Sequence, residues 1–370
     1  MVIALGGPDD PAPAEHTRSV DPAAVIPGLV NAHTHLEWSW VRGQMSAARS
    51  MAAWASSLLS RGRTRPADIR APVVAAIAEA RAYGTTLVGE VTNTLETYGP
   101  LLDSELSARV FYELLGFTQH DPGPVLAAAT AAIERLTPVS WLRPSLVPHA
   151  PYSVSPEMLR AIGSADDGVI SIHLGESAEE IEFLRQGTGP WQELLQQLGA
   201  WDASWTPPLA GPVEYIERLG LLSDRLLAVH CVQLTAAELE RLAAAGSTIV
   251  TCPRSNQWTG AGLPDVGRFY ASGVRLAVGT DSLGSVEDLN VFRELALMRA
   301  LAPEVPARRL LESATRIGAE SLGFGADLGT IEPGKRAELI AVRVPRGVED
   351  VEEYLVSGIR QSDIRWLDPD

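Results

Sequence analysis

The stretch Val25-Ile26-Pro27-Gly28-Leu29-Val30-Asn31-Ala32-His33-Thr34-His35 decides how the rest of the chain is read. Its apolar, β-branched run predicts a strand over Val25–Ala32. Two histidines stand at the end of that strand, two residues apart. In an extended chain residues i and i+2 point to the same side, so both imidazoles can reach one ion. Seven further runs predict strands: Thr85–Val91, Ala108–Leu115, Trp141–Val147, Val169–His173, Leu226–His230, Ser247–Thr251 and Arg275–Gly279. Helical patterns lie between them, among them Pro72–Tyr83, Pro124–Leu136, Pro156–Ile162, Ala236–Ala245 and Glu287–Ala300. Several open on Pro or on a Ser, Thr or Asp cap. Strands alternating with helices imply parallel pairing through right-handed crossovers. Eight such units favour an α/β fold, a closed (β/α)8 TIM barrel, over an open doubly wound sheet.

After Leu322 the pattern changes to Gly-rich turns and a short strand, Ala337–Val344, with Val356–Leu367 as a candidate for another. A small appended β-sheet formed by the chain termini is therefore expected. The organisation read from the sequence is an N-terminal segment over 1–24, a barrel over 25–325 and a C-terminal part of the small sheet over 326–370. Gly175–Gly220 is a long excursion between the fifth and sixth strands and carries Trp191, Trp201 and Trp205. Such insertions cap the active face or form a subunit contact. Exposed tryptophans in a lid or homodimer contact are the expectation here.

The 370 residues are 46% hydrophobic and 21% charged, which is globular composition. A net charge of −16 and a pI near 4.9 argue against nucleic-acid and anionic-membrane partners. Cys231 and Cys252 are the two cysteines, too few for a disulfide framework or a four-Cys zinc site. No apolar run approaches the roughly 18 residues of a membrane span, and the first thirty residues show no basic start followed by an apolar stretch. A soluble cytoplasmic protein is expected. Lys335 is the only lysine and sits in a Pro-Gly turn, which argues against a carboxylated lysine bridging two metals.

The seven histidines are His16, His33, His35, His120, His149, His173 and His230. Five of them, all but His16 and His120, fall at or just after the C-terminal end of a predicted strand. On a parallel barrel those ends share the face where catalytic sites are built. Asp281 ends the eighth strand in the same way, and Glu176 follows His173 by three residues. A single His is more often a hydrogen-bonded core residue, but that reading does not suit the whole set. Neutral imidazoles with one carboxylate suit one divalent ion, Zn²⁺ or Fe²⁺, with a position open to water. Such an ion lowers the pKa of bound water toward neutrality. Asp281 could take the water's proton and Glu176 could carry one to the substrate. His230 could ligate the metal or hydrogen-bond the nucleophile. Hydrolytic attack on an electron-poor sp² carbon fits this set. No HExxH, P-loop, strand-linked GxGxxG or CxxC competes with it.

Pro27 to His35, Val278-Gly279-Thr280-Asp281-Ser282 and the tail from Ala314-Thr315-Arg316 through Gly334-Lys335-Arg336-Ala337 resemble the motifs of the amidohydrolase superfamily. His149-Ala150-Pro151-Tyr152-Ser153, His173-Leu174-Gly175-Glu176-Ser177 and Thr251-Cys252-Pro253-Arg254-Ser255-Asn256 are similar to its mononuclear deaminase branch. The resemblance implies a metal held by His33, His35, His173 and Asp281. It also implies Glu176 as proton shuttle to a ring nitrogen, His230 as a catalytic base, and His149 in contact with the substrate. With His149 and Glu176, Ser145 and Arg143 complete the substrate-binding candidates.

Glu179-Glu180-Ile181-Glu182-Phe183-Leu184 followed by Gly187-Thr188-Gly189-Pro190-Trp191 looks most like aminodeoxyfutalosine deaminases of the futalosine route to menaquinone. The bland reading of Glu179, Glu180 and Glu182 is a solvated helix face. The resemblance also implies a small β-sandwich from both termini, and the turn-rich residues before Val25 suggest a reduced one. Leu59–Arg70 offers arginines and Asp68 where S-adenosylhomocysteine deaminases carry a ribose-binding Glu. Arg61, Arg63, Arg65 and Arg143 are candidates for a substrate carboxylate. The substrate implied is a purine nucleoside analogue. The rivals are deamination of S-adenosylhomocysteine, methylthioadenosine or guanine, a dechlorinating or amide hydrolase, and a non-enzymatic zinc protein, for which Glu176 would have no use.

Overall fold

A computed structural model describes residues 1–6, 20, 22–165 and 168–367. His16 and most of 1–24 lie outside these residues. Eleven strands are described: β1 (Ala23–Pro27), β2 (Leu29–Thr34), β3 (Thr85–Thr92), β4 (Ser107–Leu114), β5 (Leu142–Pro148), β6 (Ile170–Leu174), β7 (Leu226–His230), β8 (Thr248–Thr251), β9 (Arg275–Val278), β10 (Leu339–Arg343) and β11 (Ile364–Trp366). Two parallel sheets, in the orders β2-β3-β4-β5 and β6-β7-β8-β9, hold the eight strands expected from the sequence. A third, antiparallel sheet runs β1-β10-β11.

The expected first strand is two strands. Val25, Ile26 and Pro27 pair with β10, whereas Leu29 onward pairs with β3. The chain changes sheets at Gly28, whose N–H donates to Glu338 O at 2.8 Å while Leu29 N–H donates to Gly84 O. A Cβ at Gly28 would stand 2.8 Å from the Thr86 Cβ, so glycine is what the close crossing requires. An unbroken apolar run conceals that switch.

Side chains and backbone join the two parallel sheets at both of their meeting edges. His173 N–H donates to His149 O at 2.9 Å between β6 and the end of β5. On the other side Asp281 N–H donates to His33 O at 3.0 Å. There Asn31 both donates to Thr280 Oγ1 (2.7 Å) and accepts from Thr280 N–H (3.0 Å), replacing ladder bonds with a side-chain clasp. Leu87, Val91, Phe111, Val147, Leu227, Val229, Val250 and Ala277 form one apolar cluster with Phe324 and Leu328. The turn around Leu322 and Gly323 accepts hydrogen bonds from Arg109 and Arg143, so it covers the N-terminal ends of β4 and β5.

Helices fall close to expectation, with caps as the sequence suggested. Thr235 and Glu238 form a capping box at Ala236–Ala244, and Ser155 caps Pro156–Gly163. The helix expected from Glu287 starts at Val291, because Asn290 caps it and Asp288 pairs with Arg254 and Arg293. The excursion after β6 forms helices Ala178–Gln186, Pro190–Gln197 and Pro212–Arg218. Its tryptophans do not form an exposed patch. Trp191 is buried and stacks on Tyr152 at 3.9 Å, while Trp201 and Trp205 pack on Phe117 and Phe183. Aromatic area is more stabilising when buried together than when left in water. No helix among the described residues is long and apolar enough to cross a membrane.

Gly89 of β3 lets β2 approach, since a Cβ there would lie 2.2 Å from Ala32 O. Gly89→Ala should therefore destabilise the fold by about 1–3 kcal/mol or more. A lowered denaturant midpoint would show it, and an unchanged midpoint would contradict the close approach.

Candidate active site

Parallel pairing brings the strand ends to one face, and five strands deliver the candidate groups there. His33 belongs to β2 and His35 directly follows it, His149 follows β5, His173 belongs to β6, His230 closes β7 and Asp281 follows β9. His230 and Asp281 have φ of 72° and 62°, left-handed values rare for such residues, so the surrounding structure holds them there. His33 Nε2 and His35 Nε2 lie 3.2 Å apart. Asp281 Oδ1 is 3.5 Å from His35 Nε2 and 3.9 Å from His33 Nε2. One nitrogen from each of His33, His35 and His173 falls within 4.8 Å of the others.

His173 also belongs to two other such groups, one with Glu113 and His149 and one with Glu176 and His230. Its Nδ1 is 3.0 Å from His230 Nε2, and its Nε2 is 3.5 Å from Glu113 Oε1. Asn256 Nδ2 lies 2.9 Å from His230 Nδ1. With that amide donating, the His230 ring carries its hydrogen on Nε2. Ser255 Oγ donates to Asp281 Oδ2 at 2.5 Å, and Ser282 N–H donates to Asp281 Oδ1 at 2.7 Å. His149 Nδ1 meets Ser153 Oγ at 2.6 Å.

Burial sets the protonation states. It lowers His33 and His35, and it brings His149 to about 4 and His230 to about 3, leaving neutral rings with lone pairs. Burial lowers His173 as well, but the adjoining Glu113 carboxylate outweighs it and holds that ring above its ordinary value. Asp281 stays ionised despite burial, through His35, His230 and Ser255. Burial pushes Glu176 up to about 8. Its two carboxylate oxygens and His173 Nε2 are buried without a hydrogen-bond partner. Unpaired buried polar atoms cost free energy unless a ligand meets them, so this donor set fits a divalent cation and a polar substrate.

Not every candidate joins the cluster. Arg143 is second in β5, at the opposite end from His149. Its guanidinium lies 3.8 Å over the Phe324 ring and donates to Ser140 O, Gly323 O and Asp327 Oδ2, which takes it out of the substrate-binding set. Ser145, four residues before His149, is buried within the strand, so it lies below the cluster. Arg65 pairs with Glu96 at 2.9 Å and Glu37 at 3.7 Å, while Arg61 and Arg63 are exposed. His120 is exposed and pairs with Asp202. Lys335 Nζ donates to Thr330 Oγ1 in its turn.

Sequence reasoning missed Glu113, whose Oε2 accepts from Asn93 while His149 and His173 pull its pKa down to about 2 against burial. The available signal was its place two residues after Phe111, a carboxylate near the C-terminal end of a strand. It also missed Glu37, which accepts from Thr92 Oγ1, Asn93 N–H and Thr94 N–H, and Glu90, which accepts from Leu36 N–H directly after His35.

The amidohydrolase family model matches residues 24–360. The chain belongs to the amidohydrolase family. As a member it is a hydrolase acting on carbon–nitrogen bonds. It is 33% identical over 346 residues to an aminodeoxyfutalosine deaminase of Deinococcus radiodurans, covering 87% of this chain and 79% of that one. It is 30% identical over 358 residues to a 5-methylthioadenosine/S-adenosylhomocysteine deaminase of Moorella thermoacetica, covering 92% and 78%. Among solved structures, Helicobacter pylori aminofutalosine deaminase in complex with methylthio-coformycin superposes with a TM-score of 0.79 at 27% identity, covering 90% of this chain and 82% of that one. An adenosine deaminase from Xanthomonas campestris with bound zinc gives 0.78 at 27%, covering 92% and 78%.

A ligand that binds only the folded protein stabilises it, by about 2.7 kcal/mol at a hundredfold excess over Kd. Added zinc should raise the melting temperature of chelator-treated protein, as read by differential scanning calorimetry. Equal melting with and without zinc would mean that the unpaired donors do not form a cation site.

Proposed function

We propose that this amidohydrolase is a metal-dependent deaminase of adenine-like nucleosides, that its leading substrate is 6-amino-6-deoxyfutalosine, and that it serves menaquinone synthesis. The relative from Deinococcus radiodurans, 33% identical, supports the substrate. The observation that carries the chemistry is Glu176, a carboxylate pushed up to about 8 and buried 3.7 Å from His230, beside a ring of imidazoles. We read the two parallel sheets as one (β/α)8 barrel over 25–325, with 1–24 and 326–370 supplying the small sheet.

In this reading His33, His35, His173 and Asp281 would hold one zinc or iron(II) ion. Three imidazoles and a carboxylate suit either metal, and the zinc seen in the Xanthomonas structure supports zinc. Such an ion supplies Lewis acidity and a water acidified toward neutrality.

Asp281, ionised and fixed by Ser255, is the acceptor for that water's proton. Glu176 enters protonated and gives its proton to the ring nitrogen next to C6, so that C6 accepts the water oxygen. Neutral His230, oriented by Asn256, presents Nε2 to the developing oxygen charge. Asp281 returns its proton to the amine, the C6–N bond breaks with ammonia leaving, and the C6 hydroxyl proton passes to Glu176 as the oxo group forms. One water is consumed and one ammonia released. His149 and Glu113 line the same face as substrate contacts, and Glu113 is an acceptor for substrate donors.

The Moorella relative supports a second reading, deamination of methylthioadenosine or S-adenosylhomocysteine. Ammonia release from aminodeoxyfutalosine, methylthioadenosine, S-adenosylhomocysteine, adenosine and guanine, offered side by side to zinc-loaded protein, separates the two. Release should be fastest with aminodeoxyfutalosine. Glu176→Gln should keep the metal and slow turnover by about 10²–10⁴-fold. No release from any of the five with metal in place would move the reaction to another leaving group.

A further inference from the structure

Four polar groups around Glu176 each have a side-chain support of their own. Asp281 has Ser255, His230 has Asn256, His149 has Ser153 and Glu113 has Asn93. The Glu176 carboxylate is fully buried, yet neither of its oxygens accepts a hydrogen bond. Its position therefore comes from the backbone that carries it, the turn between β6 and the helix Ala178–Gln186.

That turn is fastened by an unusual use of a helix start. Ser177 is the N-cap and its Oγ accepts from Glu180 N–H at 3.3 Å. In a capping box the acidic residue at this position would return to the cap's own N–H. Glu180 reaches further back. Its Oε1 accepts from Gly175 N–H at 2.9 Å and its Oε2 from Glu176 N–H at 3.0 Å. The carboxylate is fully buried between those donors, not on a solvated helix face. Gly175 has φ +58°, and a Cβ there would lie 2.4 Å from Leu234 Cδ2, so the turn takes glycine at this position. Gln233 N–H holds Gly175 O from the other side at 2.8 Å.

We infer that Glu180 is a positioning residue for the reaction: its carboxylate clasps the Gly175–Glu176 backbone and thereby sets where the Glu176 carboxyl stands relative to His230 and the substrate. The inference rests on the reading of Glu176 as proton shuttle. An exposed acidic side chain would be a poor clasp, because water would compete for both N–H groups; a buried one has no such competitor. Both acceptor oxygens are needed. Glutamine offers one acceptor and one donor, so one N–H would face a second N–H.

The test compares zinc-loaded wild type with Glu180→Gln, Glu176→Gln, the double variant and Gly187→Ala, by ammonia release, metal content and melting temperature. Glu180→Gln should lower kcat by about tenfold or more, as small misplacements of a reacting group do, with KM and zinc content little changed. The double variant should be no slower than Glu176→Gln alone, because the clasp acts only through Glu176. Gly187→Ala strains the far end of the same helix, where φ is 72°, without touching the clasp, so it should melt lower and keep its kcat. Wild-type kcat in Glu180→Gln, losses that multiply in the double variant, or an equal loss in Gly187→Ala would each overturn the clasp. Should Glu180→Gln be recovered unfolded, Glu180→Asp, with both oxygens one methylene short, carries the same comparison. Full activity in Glu176→Gln would instead overturn the shuttle on which the clasp rests, and an inactive Glu176→Gln beside a fully active Glu180→Gln overturns the clasp alone.

Discussion

His173 is the imidazole through which the whole site is connected. It shares one donor group with the two histidines of β2, a second with Glu113 and His149, and a third with Glu176 and His230. Such crowding of like rings is tolerable only while most of them are uncharged, and burial keeps His33, His35, His149 and His230 that way. The two carboxylates that stay ionised, Glu113 and Asp281, stand on opposite sides of the cluster, on β4 and after β9. The parallel sheets serve this arrangement by delivering one or two groups at each contributing strand end.

Outside the cluster a band of hydrogen bonds holds those strand ends in register. Asn31 and Thr280 tie β2 to β9, next to His33 and Asp281. Glu90 fixes the backbone after His35, and Glu37 gathers Thr92, Asn93 and Thr94, leaving the Asn93 amide free to reach Glu113. Asn256 and Ser255, adjacent on one short helix, support His230 and Asp281 respectively. Removing one partner of such a buried pair leaves the other unsatisfied, at a cost of about 1–3 kcal/mol. Conformational freedom at the site is correspondingly small, and the glycines at 28, 89 and 279 allow the strands to approach closely enough for it.

Much of this was legible in the chain itself. Eight apolar runs with helical intervals gave the two parallel sheets, and the histidines that converge were marked by standing at the ends of those runs. What could not be read has physical causes. Gly28 changes sheets inside a continuous apolar run, and hydropathy carries no record of a strand's partner. Glu113 and Arg109 are both charged residues of β4, and only the structure shows that Glu113 faces the histidines while Arg109 donates to Leu322 O. Glu180 shares a charge run with Glu179 and Glu182, which are partly exposed, and only packing shows that the middle one points inward. Arg143 had the right residue type at the wrong end of its strand, where an aromatic ring and Asp327 engage it. The tryptophans after β6 read as a surface because composition cannot show that Phe117 and Phe183 wait beneath them.

The central claim is that four side chains from three separate strand ends converge on a single cation. Anomalous diffraction at the zinc absorption edge, on crystals of zinc-loaded protein, tests it most directly. The account predicts one anomalous peak per chain, bounded by His33, His35, His173 and Asp281. A peak held instead by Glu113 and His149, or a second peak beside the first, would contradict it.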